Sequence, residues 1–209
     1  MRNAPPLRKP SVRRSERGRP REFDPDDVAA AAADIFWKQG YHATSIEALC
    51  EATGLMRGSL YGAFGDKHGL LIAAFERFAD NVVARLKARL DADLPPRETL
   101  REALLAYTRV AAELTDRHGC FITNATLELL PGDEALRPHI EAALRRIAAL
   151  LTAAVLRGQK AGAFKTSLDG KAVGNFLLCI VQGLRVLGKT DLAGPELIAI
   201  VDIAMRAFE

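Results

Sequence analysis

The sequence predicts an all-α protein, and three observations carry that prediction. Apolar residues return every three or four positions along nearly the whole chain beyond residue 24, the spacing of one helix face. The breaks between those runs hold Asp24-Pro25, Gly40, Thr44-Ser45, Gly54 and Gly65-Asp66, residue types that start or stop helices. No segment alternates apolar and polar residues over the length of a strand.

Each element follows in order. Asp24 is a natural N-cap, Pro25 suits the first helical position, and Val28, Ala32, Ile35 and Phe36 form one stripe that Gly40 ends. Thr44-Ser45-Ile46-Glu47 reads as a capping box, with the Thr44 hydroxyl accepting from the Glu47 N–H. Ile46, Leu49, Cys50 and Thr53 then share a face, and Gly54 stops this second helix after barely two turns. A third short helix, over about 56–64, turns Leu60 and Phe64 inward at four-residue spacing. Two short helices joined by a Gly-containing turn make a helix-turn-helix.

A long helix follows the Gly65-Asp66-Lys67 break, with Leu71, Phe75, Phe78, Val82 and Leu86 on one stripe up to a linker over 91–96. Three more helices are predicted, from Leu100, Leu104, Tyr107, Ala111 and Leu114, from 120–130, and from Ile140, Leu144, Ile147, Leu151 and Val155. The last two span about 169–187 and 195–208. The resulting division is a disordered basic arm over 1–22, a three-helix head over 23–68, and a roughly six-helix body over 69–209.

The penultimate helix is apolar around most of its circumference, which requires burial on two sides. The same helix pair from a second copy supplies that second side most simply, as a two-fold four-helix interface. Phe176, Ile180, Leu184, Leu187, Ile200, Val201, Ala204 and Phe208 are its predicted members, the alternative being a central helix in a monomeric bundle.

Composition narrows the function. At 49% apolar and 26% charged, 209 residues can bury a real core. The net charge of +3 conceals an asymmetry. Arg2, Arg8, Lys9, Arg13, Arg14, Arg17, Arg19 and Arg21 face only Glu16 in the first 21 residues, and the remainder is mildly acidic. Such an arm suits a polyanion, through counterion release, or serves as a solubilising tail. Cys50, Cys120 and Cys179 lie far apart, without metal-site or disulfide-framework spacing, so reduced thiols and no metal or cofactor are expected. No stretch reaches the roughly 18 apolar residues needed to cross a bilayer, and the Arg-rich start leads into no signal core. A cytoplasmic protein without membrane contact is the expectation. No nucleophile elbow, phosphate-binding loop, dinucleotide fingerprint or HExxH run occurs, which argues against an enzyme.

The third helix is built for contact. Gly58 and Gly62 share a face that permits close approach to a nucleic-acid surface. Arg57 can fork onto a guanine edge or a phosphate, Ser59 can reach either, and Tyr61 either offers its hydroxyl to a phosphate or packs inward.

Residues 41–71 carry Thr44 at a helix start, Ala52-Thr53-Gly54 at the following turn, Gly58-Ser59-Leu60-Tyr61, and Phe64-Gly65-Asp66-Lys67. This pattern resembles the signature of the TetR family of transcriptional regulators, over about residues 24–75. Met56 departs from the Ser or Asn often found at that family position. The resemblance implies a homodimer on a palindromic double-stranded operator, repressing until a small-molecule effector releases it. It also implies that Thr44 and Lys67 hold phosphates at helix starts, Thr44 otherwise being only a cap. An effector pocket is implied in the helical body, and Phe75, Phe78, Tyr107, Cys120, Phe121, Asn124, Glu128, His139 and Phe176 are its candidate lining as aromatic or polar residues on apolar helices. Cys120, following Gly119 at a helix start, is either a redox or electrophile sensor or a buried structural thiol. A DNA binder that needs no ligand is the remaining alternative.

The Arg17-Gly18-Arg19-Pro20-Arg21 run is similar to extended arms that enter A·T-rich minor grooves. Deleting residues 1–21 should weaken DNA binding and flatten its salt dependence, measured as log affinity against log salt. An unchanged slope would remove the arm from the phosphates.

Overall fold

Nine helices account for most of the residues described in the structure, a computed structural model that covers residues 23–113, 118–190, 192 and 194–209. The expectations for the arm, including Arg19 and Arg21, lie outside the described residues. The helices are α1 (Pro25–Gln39), α2 (Ile46–Thr53), α3 (Arg57–Phe64), α4 (Lys67–Leu90), α5 (Pro96–Glu113), α6 (Phe121–Leu129), α7 (Arg137–Lys160), α8 (Gly170–Leu187) and α9 (Gly194–Arg206).

Local chemistry sets most of these limits. The Asp24 carboxylate accepts from the Asp26 N–H at 2.9 Å, and Gly40 closes α1 at φ 82° by donating to the Phe36 carbonyl. Gly54 takes φ 69° after α2, a left-handed turn that most side chains resist. Asp66 caps α4 by accepting from the Gly69 N–H at 2.7 Å. The start of α2 differs from the expected capping box. Its cap is Ser45, whose Oγ accepts from the Ala48 N–H at 3.0 Å. Thr44, only 2% exposed, turns inward and donates to the Gly40 carbonyl at 2.5 Å. The helix therefore begins one residue later, because Thr44 is already used to close the turn after α1.

α4 is the common support. It packs on α1 and α3 in the head, and on α5, α6 and α7 in the body. One buried cluster runs through it, from Phe36, Leu49 and Leu60 past Leu71 and Phe75 to Phe121, Ile147 and Leu151. α7 lies along α8 at close range, since a Cβ on Gly174 would stand 2.1 Å from Thr152 Oγ1. α9 closes the far end against α5, with Arg101 held to Asp202 at 2.8 Å and Phe208 against Phe164 at 5.0 Å between ring centroids.

Two expectations about the last helices need correction. Leu184, Val201, Ala204 and Phe208 are buried within the protomer, because the apolar surfaces of α8 and α9 are used largely against α5, α7 and each other. Side chains already covered cannot also face a second copy. In addition, α8 is long and apolar enough, by length and composition, to cross a bilayer, at mean hydropathy 1.3 over Gly170–Leu187. Lys171, Asn175, Gln182 and Arg185 interrupt its apolar runs, so a search for unbroken stretches passes over it.

Polar ties fasten the head to the body across this core. The Glu128 carboxylate on α6 accepts from the Tyr41 and His42 N–H groups, at 3.0 and 2.8 Å, in the turn between α1 and α2. The Trp37 indole donates to the Gly119 carbonyl at 3.1 Å. His68 Nε2 meets Asp133 Oδ2 at 2.7 Å, and the Leu136 N–H donates to Asp133 Oδ1 at 2.9 Å.

Burial pushes the Asp133 carboxyl up, but the Leu136 N–H and His68 outweigh it and hold the group below its ordinary value. A depressed folded-state value contributes stability above the unfolded value of about 3.9, lost as pH falls through the folded one. Asp133→Asn should therefore cost about 1 kcal/mol in urea unfolding at pH 7 and show a shallower loss below about pH 4 than the parent. Parallel acid limbs in the two proteins would contradict this role for Asp133.

Candidate nucleic-acid interface

α3 is a short rod with one anchored side. Leu60 inserts into the core and Phe64 packs against it, which leaves Arg57, Gly58, Ser59 and Gly62 exposed. A Cβ built on Gly58 or Gly62 meets nothing within 4 Å, so neither glycine is needed for packing inside the protomer. Met56 precedes the helix without a side-chain cap and is 83% exposed. The free N–H groups of this first turn thus open toward the same surface as Arg57.

Two cations are held by aromatic rings beside this rod. The Arg57 guanidinium carbon lies 5.1 Å from the Tyr61 ring centroid, with Tyr61 half-buried beneath it. Lys67 Nζ lies 4.3 Å over the Tyr41 ring. Such contacts restrict long cationic side chains without neutralising them. Burial first, and then the charges of Asp66 and Asp133, raise the Tyr41 hydroxyl above its ordinary value and keep that ring uncharged. Arg57, Ser59 and the two glycines are thus all exposed on α3, and Tyr61 and Lys67 lie beside them. Thr44 does not join them, because its hydroxyl points into the protein.

The expected effector pocket is redistributed more extensively. A cavity of about 290 Å³ opens between α1, α4, α5 and α8, and of the predicted residues only Phe78 and Tyr107 line it. Phe75 and Phe121 are core, in edge contact at 5.9 Å. Asn124 donates to the His118 carbonyl and accepts from Lys189, while Glu128 is committed to the α1–α2 turn. His139 pairs with Glu76 at 2.9 Å between α4 and α7, and Phe176 faces outward from α8. Cys120 is 5% exposed at the start of α6, and a buried thiol lacks the access that a sensor requires. Trp37 on α1 and Arg77, Arg85, Arg89 and Arg185 line the cavity but were not anticipated. The signal for most of them was a polar line, Arg77, Asn81, Arg85 and Arg89, repeating every four residues along α4.

Residues 28–74 match the bacterial regulatory proteins of the tetR family, and residues 96–191 match the tetracyclin repressor-like C-terminal domain. A solved TetR family regulator, a cysteine mutant of CifR complexed with 26-base-pair operator DNA, is 30% identical. It superposes with TM-score 0.78 over 92% of this chain and 100% of that one. The chain belongs to the TetR family of transcriptional regulators.

Within the TetR family, the HTH-type transcriptional repressor ComR of Escherichia coli K12 is 28% identical over 197 residues, which is 92% of each chain. The reduced form of E. coli NemR shares the fold at TM-score 0.76 with 19% identity, covering 88% of this chain and 96% of that one. The all-α architecture, with a helix-turn-helix at the N-terminal end and a helical body after it, is the family's. This chain is a DNA-binding regulator of that type.

Because Arg57 is exposed and its stacking on the Tyr61 ring is a weak surface contact, Arg57→Ala should lower the thermal unfolding midpoint only slightly. Affinity for a duplex taken from upstream of the protein's own gene should fall by about 1–3 kcal/mol, read by fluorescence anisotropy. Wild-type affinity in that variant would place the DNA elsewhere.

Proposed function

We propose that this TetR-family chain is a cytoplasmic, non-enzymatic homodimeric repressor that grips a roughly palindromic operator with α3 of each protomer and is released by a small-molecule effector. The observation that carries the reading is the exposed face of α3, where Arg57, Ser59, Gly58 and Gly62 project from a helix anchored by Leu60. A helix presented this way suits the major groove, where a forked guanidinium can distinguish guanine by its O6 and N7. Lys67 and Tyr61 would hold phosphates at the flanks, and Arg19 and Arg21 of the basic arm would follow the adjacent backbone or minor groove. On this reading residues 1–22 are the arm, 23–68 the reading head, and 69–209 the effector and dimer module. ComR is named a repressor and the CifR structure contains operator DNA, which favours repression here.

Dimerisation falls to the outward faces of α8 and α9. Phe176 is 41% and Ile203 61% exposed, and Leu187 and Ile198 are also exposed. Ile180 and Ile200 are half-covered beside them. Apolar side chains of this size at an open surface suit a self-complementary patch about a two-fold axis. The axis would set the spacing of two α3 helices at about 34–36 Å, one turn of B-DNA.

Effector action requires that a change in the body reach α3. The ties from Glu128 to Tyr41 and His42, from Trp37 to Gly119 and from His68 to Asp133 connect the two parts. A ligand that favours one separation of the heads by about 1–3 kcal/mol would act through them.

The test is a light-scattering mass measurement paired with anisotropy on the upstream duplex. The parent should run as a dimer and bind. Phe176→Asp/Ile203→Asp should run as a helical monomer and lose at least about a hundredfold in affinity, or ~2.7 kcal/mol. A doubly substituted protein that remains dimeric would move the interface away from α8 and α9.

A further inference from the structure

The cavity between α1, α4, α5 and α8 has a marked charge imbalance. Arg77, Arg85 and Arg89 enter it from one line of α4, and Arg185 enters from α8. The sole carboxylate among the lining residues, Asp34, is paired with Lys38 at 2.7 Å. Arg77 reaches Asp26 at 3.2 Å through one nitrogen, yet its Nε is buried without a hydrogen-bond partner. No carboxylate among the described residues forms an ion pair with Arg85, Arg89 or Arg185. The Arg185 guanidinium instead rests 4.7 Å over the Tyr107 ring. Burial raises the Tyr107 hydroxyl above its ordinary value, against the opposing influence of Arg185, so it stays a neutral donor.

We infer that this cavity binds a small amphiphilic anion, an organic carboxylate with an apolar body, whose charge is received by Arg85, Arg89 and Arg185; its role as the effector rests on the repressor reading above. The reasoning is electrostatic and steric. Arg85 and Arg89 are exposed at the cavity and Arg185 is half-buried, and guanidinium groups lining one cleft concentrate positive potential there. A neutral ligand would cover them without replacing the water they lose, and a cation would be disfavoured by the positive potential. A carboxylate offers planar oxygens that match the guanidinium fork. An inorganic anion would satisfy the charge but leave the other wall unused. That wall is Trp37, Phe78, Val82 and Ala106. The volume of about 290 Å³ equals roughly ten water-sized groups at about 30 Å³ each, enough for one ring and a short chain.

The position also connects the ligand to the head. Trp37 touches the cavity, packs 6.0 Å from Phe78 between ring centroids, and donates to the Gly119 carbonyl. It stands on α1, and Glu128 holds the turn that follows α1. A body pressed against Trp37 therefore acts on the helix that carries the reading head.

Trp37 is the chain's single tryptophan, so its emission reports occupancy directly. Full-length protein is titrated with 4-phenylbutyrate, 4-phenylbutanol and 4-phenylbutylammonium, three probes of similar shape and different charge, with calorimetry alongside. The anion should alter Trp37 emission and bind at least about tenfold more tightly than the other two, a difference of ~1.4 kcal/mol. Arg85→Gln/Arg89→Gln, and separately Arg185→Gln, should each weaken the anion by about tenfold while unliganded protein keeps its operator affinity. Equal binding of the alcohol, no response to the anion, or full anion affinity in both variants would overturn the inference. The operator arm distinguishes the two readings. Anion binding through the arginines without release from DNA would refute the effector role and leave the site standing.

Discussion

The structure depends on the sharing of α4 between two tasks. Its apolar stripe, including Leu71, Ala74 and Phe75, is buried against neighbours from both ends of the chain. The three short helices of the head could not bury enough surface alone, since α2 and α3 each contribute a single fully buried side chain, Leu49 and Leu60. Packing on α1 and α4 completes the head. As a result α3 is held rigidly with its outer face left empty, which is the condition for reading a duplex.

The same sharing makes regulation physically possible. A head joined by a loose linker would not respond to events in the body. Here the α1–α2 turn is held by a carboxylate from α6, the end of α1 by a carbonyl at the start of α6, and the start of α4 by Asp133. These ties are few, partly exposed and polar, so each is worth little alone. Their effect is to fix orientation, while the common core supplies the stability. On the proposed repressor reading, small shifts of α4 or α1 would reach α3 through this shared packing.

What could be read from the sequence divides along the same line. The caps Asp24, Gly40, Gly54 and Asp66 are local devices, so the helix limits and the helix-turn-helix follow from residue order. The exposed face of α3 is legible for the same reason, because Leu60 and Phe64 must point inward and Arg57, Ser59 and Gly62 then cannot. Thr44 was misplaced because a hydroxyl can serve either its own helix or the preceding turn, and only the fold decides. Leu184, Val201, Ala204 and Phe208 were misplaced because periodicity reveals that a helix is apolar on two sides but not which side meets its own bundle. The cavity was the least legible part. Its residues come from four helices, and its chemistry lies in an arginine line along α4 that an apolar-stripe reading treats as solvent face.

The most direct test of the central claim is native-state hydrogen exchange, followed by mass spectrometry across a series of low urea concentrations. If α4 unites head and body in one core, amides in α1, α2 and α4 should exchange through the same global opening as those of α7, with the same free energy and the same urea dependence. If the amides of α1 and α2 exchange through a separate, lower-energy opening while α7 stays protected, the head is an independent unit and this account of how it is positioned fails.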